Sequence, residues 1–315
     1  MYRRVVVPLD GSELAEGVLP HVVELIRDRG SRVYLLSIAP TMRGIVPPVV
    51  ELHPRGEERR RVGQELRGYL RKVAKQLEPV AAEVEVSVRF GRPADEVLAF
   101  ADSVSADLIV MTTHGRSGIR GWIFGSVADR ILRGATCPVL LVQAGFEPPR
   151  TAYQRILVPL DGSELAERIL PYVQALIRPD RASSLEGEPG GGTRIFLISV
   201  LTTGLGDRTV ALLTSYPPGL QLSTTALHYA GVELQRYLRS VAAVLRDHGA
   251  VVRIAVRQGV PADEILAYAA EVEADLIGMT THGLSGLSRW VYGNVADKVL
   301  QGAHSPVLLV RPASE

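Results

Sequence analysis

Cysteine is almost absent from this chain of 315 residues, which carries a single one at position 137. A lone cysteine excludes a disulfide framework and a cysteine-rich metal site. No apolar run approaches the roughly 18 residues of a membrane span, and the run Val5–Val7 is too short for a secretory signal. We therefore expect a soluble, cytoplasmic protein that makes no membrane contact.

An excess of charge of one sign is also lacking. Lys and Arg total 35 and Asp and Glu total 34, so the formal net charge is +1. Proteins whose main task is to hold a nucleic-acid backbone usually show a strong basic excess, so we expect no nucleic-acid partner. The run Arg59–Arg61 follows two glutamates and is interpreted as a solvated helix face.

Three common enzyme and nucleotide signatures are missing as well. No G-x-G-x-x-G follows the first predicted strand, no G-x-x-x-x-G-K-[ST] occurs, and no G-x-S-x-G is present. These absences argue against an NAD-type site, a P-loop NTPase and a serine hydrolase with a nucleophile elbow.

What the chain does contain is a repeat of itself. The ten residues Val7–Glu16 recur unchanged as Val158–Glu167, and Met111–Gly115 recurs as Met279–Gly283. Self-similarity over such a distance indicates a tandem duplication. With Gly145–Arg150 as the linker, we predict two domains, at 1–145 and 152–315.

Each copy alternates short apolar runs with segments of helical spacing. In the first copy, Arg4–Leu9 predicts a strand buried on both faces, and Ser12 is placed to cap a helix that runs to about Arg27. The same alternation continues to a last strand ending at Val142. Strands that alternate with helices predict an α/β fold, with a doubly wound, Rossmann-like parallel sheet in each copy.

In open sheets of this kind, ligands bind beyond the carboxyl ends of the strands. Gly115 and Gly118 follow the fourth predicted strand, and Gly125-Ser126 begins the next helix. Bare glycine amides and a helix N-terminus form a cradle for an anion, with Arg116 as a charged donor at its mouth. The alternative is a tight turn followed by an ordinary helix cap.

Other polar residues at these strand ends are open to two interpretations. Asp10 and Asp161 either contact a ribose hydroxyl or bound Mg²⁺, or form an Asx turn that caps the following helix. His114 and His282 have no carboxylate or nucleophile at a suggestive spacing, so we interpret them as packing residues of the loop. Cys137 aligns with Ser305 and is interpreted as a small residue beside a strand.

Taken together, these motifs resemble the universal stress protein family over nearly all of both copies. The resemblance rests on Val-Pro-Leu-Asp-Gly-Ser, on Met-Thr-Thr-His-Gly-x-Ser-Gly and on Pro-Val-Leu-Leu-Val, each of which occurs twice. It implies five parallel strands in the order 3-2-1-4-5 in each copy. It also implies an intramolecular pseudo-dimer of the two copies, formed through their last strands, and leaves a homodimer open.

The ATP-binding branch of that family is similar in its pattern of Gly-x-x-Gly, nine residues and Gly-Ser or Gly-Thr. Both copies have threonine at the first glycine, Thr112 or Thr280. The resemblance implies ATP, with Mg²⁺, as the ligand, bound without rapid turnover, so we expect a binding protein rather than an enzyme. In the first copy the implied contacts are Pro8, Asp10, Ile38, Thr112, Thr113, His114, Gly115, Arg116, Ser117, Gly118, Gly125, Ser126 and Val127. In the second copy they are Pro159, Asp161, Val200, Thr280, Thr281, His282, Gly283, Ser285, Gly286, Gly293, Asn294 and Val295.

The two copies differ in one charged donor, because Arg116 becomes Leu284 in the second copy. We therefore expect the first copy to bind a polyphosphate more tightly. The alternative function is an interaction module that binds no nucleotide and contacts a protein partner. It would use the apolar, proline-rich segments after the second strand of each copy, within 41–56 and 201–222.

Overall fold

The structure is a computed structural model that describes residues 1–39, 56–113, 125–143, 153–178, 192–202, 224–281 and 294–311. The chain divides into two compact units, Met1–Glu147 and Pro148–Glu315. The linker predicted at 145–150 lies outside the described residues. In the described part of the chain, no helix is both long and apolar enough to cross a lipid bilayer.

The first unit alternates strands and helices along its whole length. Its strands are β1 (Arg4–Pro8), β2 (Arg32–Ala39), β3 (Glu83–Phe90), β4 (Leu108–Thr112) and β5 (Val139–Val142). Its described helices are α1 (Glu13–Glu16), α2 (Leu19–Ile26), α3 (Gly56–Leu77), α4 (Pro93–Ser103) and α5 (Ser126–Gly134).

The strands of this unit form a parallel sheet in the order β3-β2-β1-β4-β5. The side chains of β4 and β5 are all buried, because helices cover both faces of the sheet. Helix α3 packs on β2 and β3, and α4 packs on β2 and α5. The order places β1 and β4 side by side where the winding reverses direction, which confirms the predicted fold class.

The second unit repeats this plan. Its strands are β6 (Arg155–Pro159), β7 (Arg194–Leu201), β8 (Val251–Gln258), β9 (Leu276–Thr280) and β10 (Val307–Val310). Its described helices are α6 (Glu164–Glu167), α7 (Leu170–Gln174), α8 (Thr224–Asp247), α9 (Pro261–Glu271) and α10 (Asn294–Gly302). The strand order is β8-β7-β6-β9-β10, again with every pair parallel.

The single helix predicted from Ser12 to Arg27 is wrong, because the structure divides it into α1 and α2. Pro20 has no N–H with which to continue the helical ladder, and its ring would collide with the carbonyl group four residues earlier. The chain therefore begins a new helix at Leu19, with Pro20 in the first turn, where no N–H is needed. Pro171 has the same position in α7, and the second unit breaks at the same place.

One half-buried carboxylate ties the amino ends of two neighbouring strands in each unit. Asp275 accepts hydrogen bonds from the main-chain N–H groups of Gln154 (2.7 Å) and Arg155 (3.0 Å). Asp107 makes the equivalent bonds in the first unit. Burial raises the pKa of Asp275 to about 6, although the two N–H donors act in the opposite direction. The ionised form of Asp275 therefore costs folding free energy at neutral pH.

This carboxylate predicts a pH dependence of stability. Because the native pKa lies above that of the unfolded chain, the folded state holds the proton more tightly between the two values. The Asp275 contribution should make the protein more stable as the pH falls from about 7 to about 4. Urea midpoints measured across this range should show that rise for the wild type and a smaller one for Asp275→Asn. The exposed substitution Glu78→Gln serves as the control, and identical pH profiles for wild type and Asp275→Asn would contradict the assignment.

Candidate functional site

A crevice opens between β1 and β4 because the two strands pair over only part of their length. Among the described residues, their pairing is confined to Val5 with Leu108 and Val6 with Ile109. Pro8, at the carboxyl end of β1, has no N–H to donate across the gap. The second unit shows the same restriction, with Ile156 paired to Leu276 and Leu157 to Ile277. Both crevices lie where the strand order reverses, which is the preferred ligand position in this fold class.

The end of β1 is instead attached to β2, on the side away from β4. The Leu9 N–H donates to the Leu36 carbonyl at 2.8 Å. The buried Ser37 hydroxyl donates to the Leu9 carbonyl at 2.6 Å. Ser199 makes the corresponding bond to Leu160 in the second unit. These two serines were not predicted from the sequence, although their equivalent positions in the repeat were a signal for them.

The chain then turns at Asp10, and the turn is an Asx turn. Asp10 Oδ1 accepts from the Ser12 N–H at 3.0 Å and from the Ser12 hydroxyl at 2.6 Å. Ser12 in turn caps α1 by accepting from the Ala15 N–H at 3.2 Å. Gly11 supplies the left-handed backbone that the turn requires, with φ of +83°. The structure therefore shows the Asx turn, which was one of the two interpretations given for Asp10.

The second unit builds the same turn from the equivalent residues. Asp161 Oδ1 accepts from the Ser163 N–H at 3.0 Å and from its hydroxyl at 2.6 Å. Gly162 also has φ of +83°. The repeated Asp-Gly-Ser therefore encodes an Asx turn that follows the first strand of each unit, beside the crevice.

On the opposite side of the crevice, β4 ends in two buried threonines. Thr112 is the last residue of the strand, and the Thr113 N–H donates to the Val142 carbonyl at 3.0 Å. The Thr113 carbonyl accepts from the Gly125 N–H at 3.3 Å. Both main-chain groups of Thr113 are therefore engaged within the protein. The Thr281 N–H is likewise bonded to the Val310 carbonyl in the second unit.

Gly125 precedes α5 as its N-cap residue, and neither its conformation nor crowding by the residues that the structure describes requires a glycine there. Its φ is −56°, which any residue adopts, and an added Cβ would lie 3.7 Å from the Thr113 carbonyl, an ordinary contact. Serine or aspartate would cap the helix better. Ser126 and Val127 follow and are exposed. The main-chain N–H groups at the start of α5 have no side-chain cap, as is also the case in α2, α4, α7 and α9.

The remaining predicted contacts divide into two groups. Ile38 and Val200 are half-buried near the carboxyl ends of β2 and β7, and Asn294 begins α10. Ten positions and most of the two segments after the second strands lie outside the described residues. The ten positions are His114, Gly115, Arg116, Ser117, Gly118, His282, Gly283, Ser285, Gly286 and Gly293.

A tyrosine that was not predicted from the sequence stands close to the second crevice. Tyr237, on α8, is near Glu167 and Asp161, and burial followed by the charge of Glu167 raises the pKa of its hydroxyl. The first unit has Tyr69 at the equivalent place on α3. The shared position in the repeat was the available signal.

Neither a reactive thiol nor a metal cluster is found in the described part of the chain. Burial raises the pKa of the Cys137 thiol to about 12, which suppresses the nucleophilic thiolate at neutral pH. No group of three or more His, Cys, Asp or Glu side chains is arranged there to hold a metal ion.

Comparison with known proteins identifies a family for this architecture. A sequence model described as the universal stress protein family matches residues 1–143 and 198–311. A universal stress protein of Methanocaldococcus jannaschii is 33% identical over 149 residues, which cover 45% of this chain and 83% of that protein.

Two longer matches extend across both units. A universal stress protein E homologue of Haemophilus influenzae is 26% identical over 232 residues, covering 70% of this chain and 67% of that protein. The crystal structure of a universal stress protein from Archaeoglobus fulgidus aligns with 98% of this chain and 96% of its own, at a TM-score of 0.64 and 19% identity. At that identity the structural match shows the fold alone.

The Asx turn gives a prediction that separates folding from ligand binding. Asp10→Asn retains a side-chain oxygen for Ser12 and should change the free energy of unfolding little. Asp10→Ala removes both hydrogen bonds and should cost about 1–2 kcal/mol. Chemical denaturation of the two variants beside wild type measures this difference, and equal losses in both would show that the turn is not what stabilises this loop.

Proposed function

The chain belongs to the universal stress protein family, and on that basis we propose that each unit binds ATP or a related adenine nucleotide in the crevice between its first and fourth strands. The observation that carries the proposal is Gly125. Neither its backbone conformation nor crowding by described residues calls for glycine. The close approach of a ligand to the start of α5 would explain it.

The surrounding geometry supports particular roles for the residues of the first unit. The N–H groups that begin α5, with the Ser126 hydroxyl, would contact the phosphates, and the helix dipole would favour their negative charge. Asp10, held by Ser12, would contact the ribose. The main chain at Ile38 would contact the adenine, beside Pro8. Asp161, Ser163 and Val200 would act in the same way in the second unit.

Magnesium fits this arrangement as the counterion of the triphosphate. It would arrive with the nucleotide and neutralise phosphate charge, and the carboxylate of Asp10 supplies the type of oxygen ligand that Mg²⁺ prefers. The His114–Gly118 and His282–Gly286 segments, named from the family pattern, would complete the phosphate contacts.

We further propose that the protein acts by holding the nucleotide rather than by turning it over. The residues that border the crevice offer hydrogen-bond donors and a turn-bound carboxylate, whereas rapid phosphoryl transfer needs a positioned water or base as well as charge stabilisation. We also propose a cytoplasmic stress-response role and pairing of the two units through their last strands.

The central test is Gly125→Ser. A serine at this position should cap α5 with its own hydroxyl, so the helix should become no less stable. The same hydroxyl would occupy the N–H groups that we assign to phosphate. We therefore expect Mg-ATP affinity of the first unit to fall about tenfold or more, as for the loss of a charged hydrogen bond. Isothermal titration of the full chain with Mg-ATP measures the affinity, and thermal unfolding checks the fold.

Asp10→Asn is a second test, at the β1 side of the crevice. It should keep the turn and weaken nucleotide binding, because a ribose hydroxyl loses a charged acceptor. Unchanged Mg-ATP affinity in both variants would overturn the assignment of the crevice. Absence of any binding by wild type would overturn the proposed function itself.

The two units should differ in affinity, because the second lacks the counterpart of Arg116. We expect two classes of site in the wild-type titration, and Gly293→Ser should remove the weaker one while Gly125→Ser reduces the tighter one. The charged donor should account for about 10-fold or more in affinity. Equal affinities, or loss of the tighter class in Gly293→Ser, would contradict this order.

A further inference from the structure

Helix α3 carries a concentration of positive charge that the neutral total of the chain conceals. Between positions 59 and 75 it has seven Lys and Arg residues and one Glu. That glutamate, Glu65, lies 4.0 Å from Arg61. The helix buries its opposite face, including Leu70, Val73 and Leu77, against the sheet.

Four of these cations form a line along one side of the helix. Arg60, Arg67, Arg71 and Lys75 fall within an arc of about 80° at 3.6 residues per turn, and they extend over about 22 Å. We call them the basic stripe. All four side chains are exposed. In the described part of the chain none of the four forms an ion pair with a carboxylate, so their charge is directed to solvent.

The duplicated unit provides an internal comparison. Helix α8 is similar in length to α3 and also buries one face. The positions equivalent to the stripe are His228, Gln235, Arg239 and Ala243. One further arginine on α8, Arg236, is held by Glu233 at 2.6 Å. The fold therefore does not need a basic helix at this place, and the stripe is a property of the first unit alone.

The chemistry of the stripe favours one kind of partner. No large apolar side chain of α3 is among the exposed ones in the described residues, whereas protein interfaces depend on aromatic and apolar anchors and membrane-lying helices on an apolar face. A linear phosphate polymer needs neither, because its binding energy comes from release of condensed counterions. Along the helix axis, Arg67, Arg71 and Lys75 are spaced about 6 Å apart, and Arg60 lies about 10 Å before Arg67.

We propose that the basic stripe of α3 is a salt-sensitive contact site for the phosphate backbone of double-stranded nucleic acid. The contact is independent of base sequence, since exposed Arg and Lys on one line reach phosphates and no base edge. It is also separate from the nucleotide crevice, which is built from the β1–α1 turn and the start of α5. The proposal departs from the expectation of no nucleic-acid partner, which rested on the net charge of +1, because a local line of cations can contact phosphates although the total charge is balanced.

Fluorescence anisotropy of a labelled 20-base-pair duplex with the full chain tests the proposal. With four phosphates neutralised, the logarithm of the association constant should fall against the logarithm of salt concentration with a slope of about −3.6. The affinity should therefore drop by about 100-fold between 50 and 200 mM NaCl. Two duplexes of unrelated sequence should bind equally.

The stripe variant Arg67→Gln, Arg71→Gln, Lys75→Ala keeps residue types that suit an exposed helix, two of them being those found in α8. In this variant the slope of the logarithm of the association constant against the logarithm of salt concentration should be less negative by about three. The thermal unfolding of the variant should be unchanged. The control Arg236→Gln, Arg239→Gln on α8 should bind the duplex like wild type. Excess Mg-ATP should not displace the duplex, which distinguishes this contact from the nucleotide crevice.

Any of three results would overturn the proposal. They are no duplex binding at 50 mM NaCl, equal binding by the stripe variant, and equal loss in the α8 control. Stripe-dependent binding of poly-L-glutamate or of vesicles containing phosphatidylserine, without binding of the duplex, would assign the surface to an acidic protein or a membrane instead.

Discussion

The early separation of β1 from β4 is the constraint on which the rest of this structure depends. The two strands lie side by side at the reversal of strand order, but they pair over only two residues each. Proline at the end of β1 and the bonds from Leu9 and Ser37 attach that end to β2 instead. The two strands are thus paired toward their amino ends and unpaired at their carboxyl ends, and the Gly125 N–H is bonded to Thr113, just beyond β4.

The duplication makes this constraint visible twice. Asp161 and Ser163 reproduce the hydrogen bonds of Asp10 and Ser12 to within 0.2 Å, and the glycine between them has the same φ in both units. Two copies of a sequence that have diverged elsewhere retain this turn because it both caps a helix and borders the crevice. The copies differ on their long helices, α3 and α8. The exposed face is basic in α3 and largely uncharged in α8.

Most of the fold was predictable because its signals are local. Apolar runs and helical spacing place the strands and most helices within a few residues of their observed bounds. The division of the first helix was not predicted, although Pro20 carries the physical reason for it. Tyr237 and the serines of β2 and β7 were also missed, because a tyrosine or serine within a helix or strand has no distinctive local pattern until its neighbours in space are known.

The sequence by itself determined the doubled α/β architecture, which follows from its repeat and its periodicity, and the family resemblance implied the strand order. For Asp-Gly-Ser the sequence offered the Asx turn as one of two interpretations, because such a turn needs only hydrogen bonds between residues two apart. Only the tertiary structure decided that Thr113 has both main-chain groups engaged, that Gly125 is required by neither strain nor crowding from described residues, and that the four cations of the basic stripe have no ion pair within the described part of the chain. Each of these facts depends on distances between residues that are far apart in the chain or on different faces of a helix, and no local pattern encodes such distances.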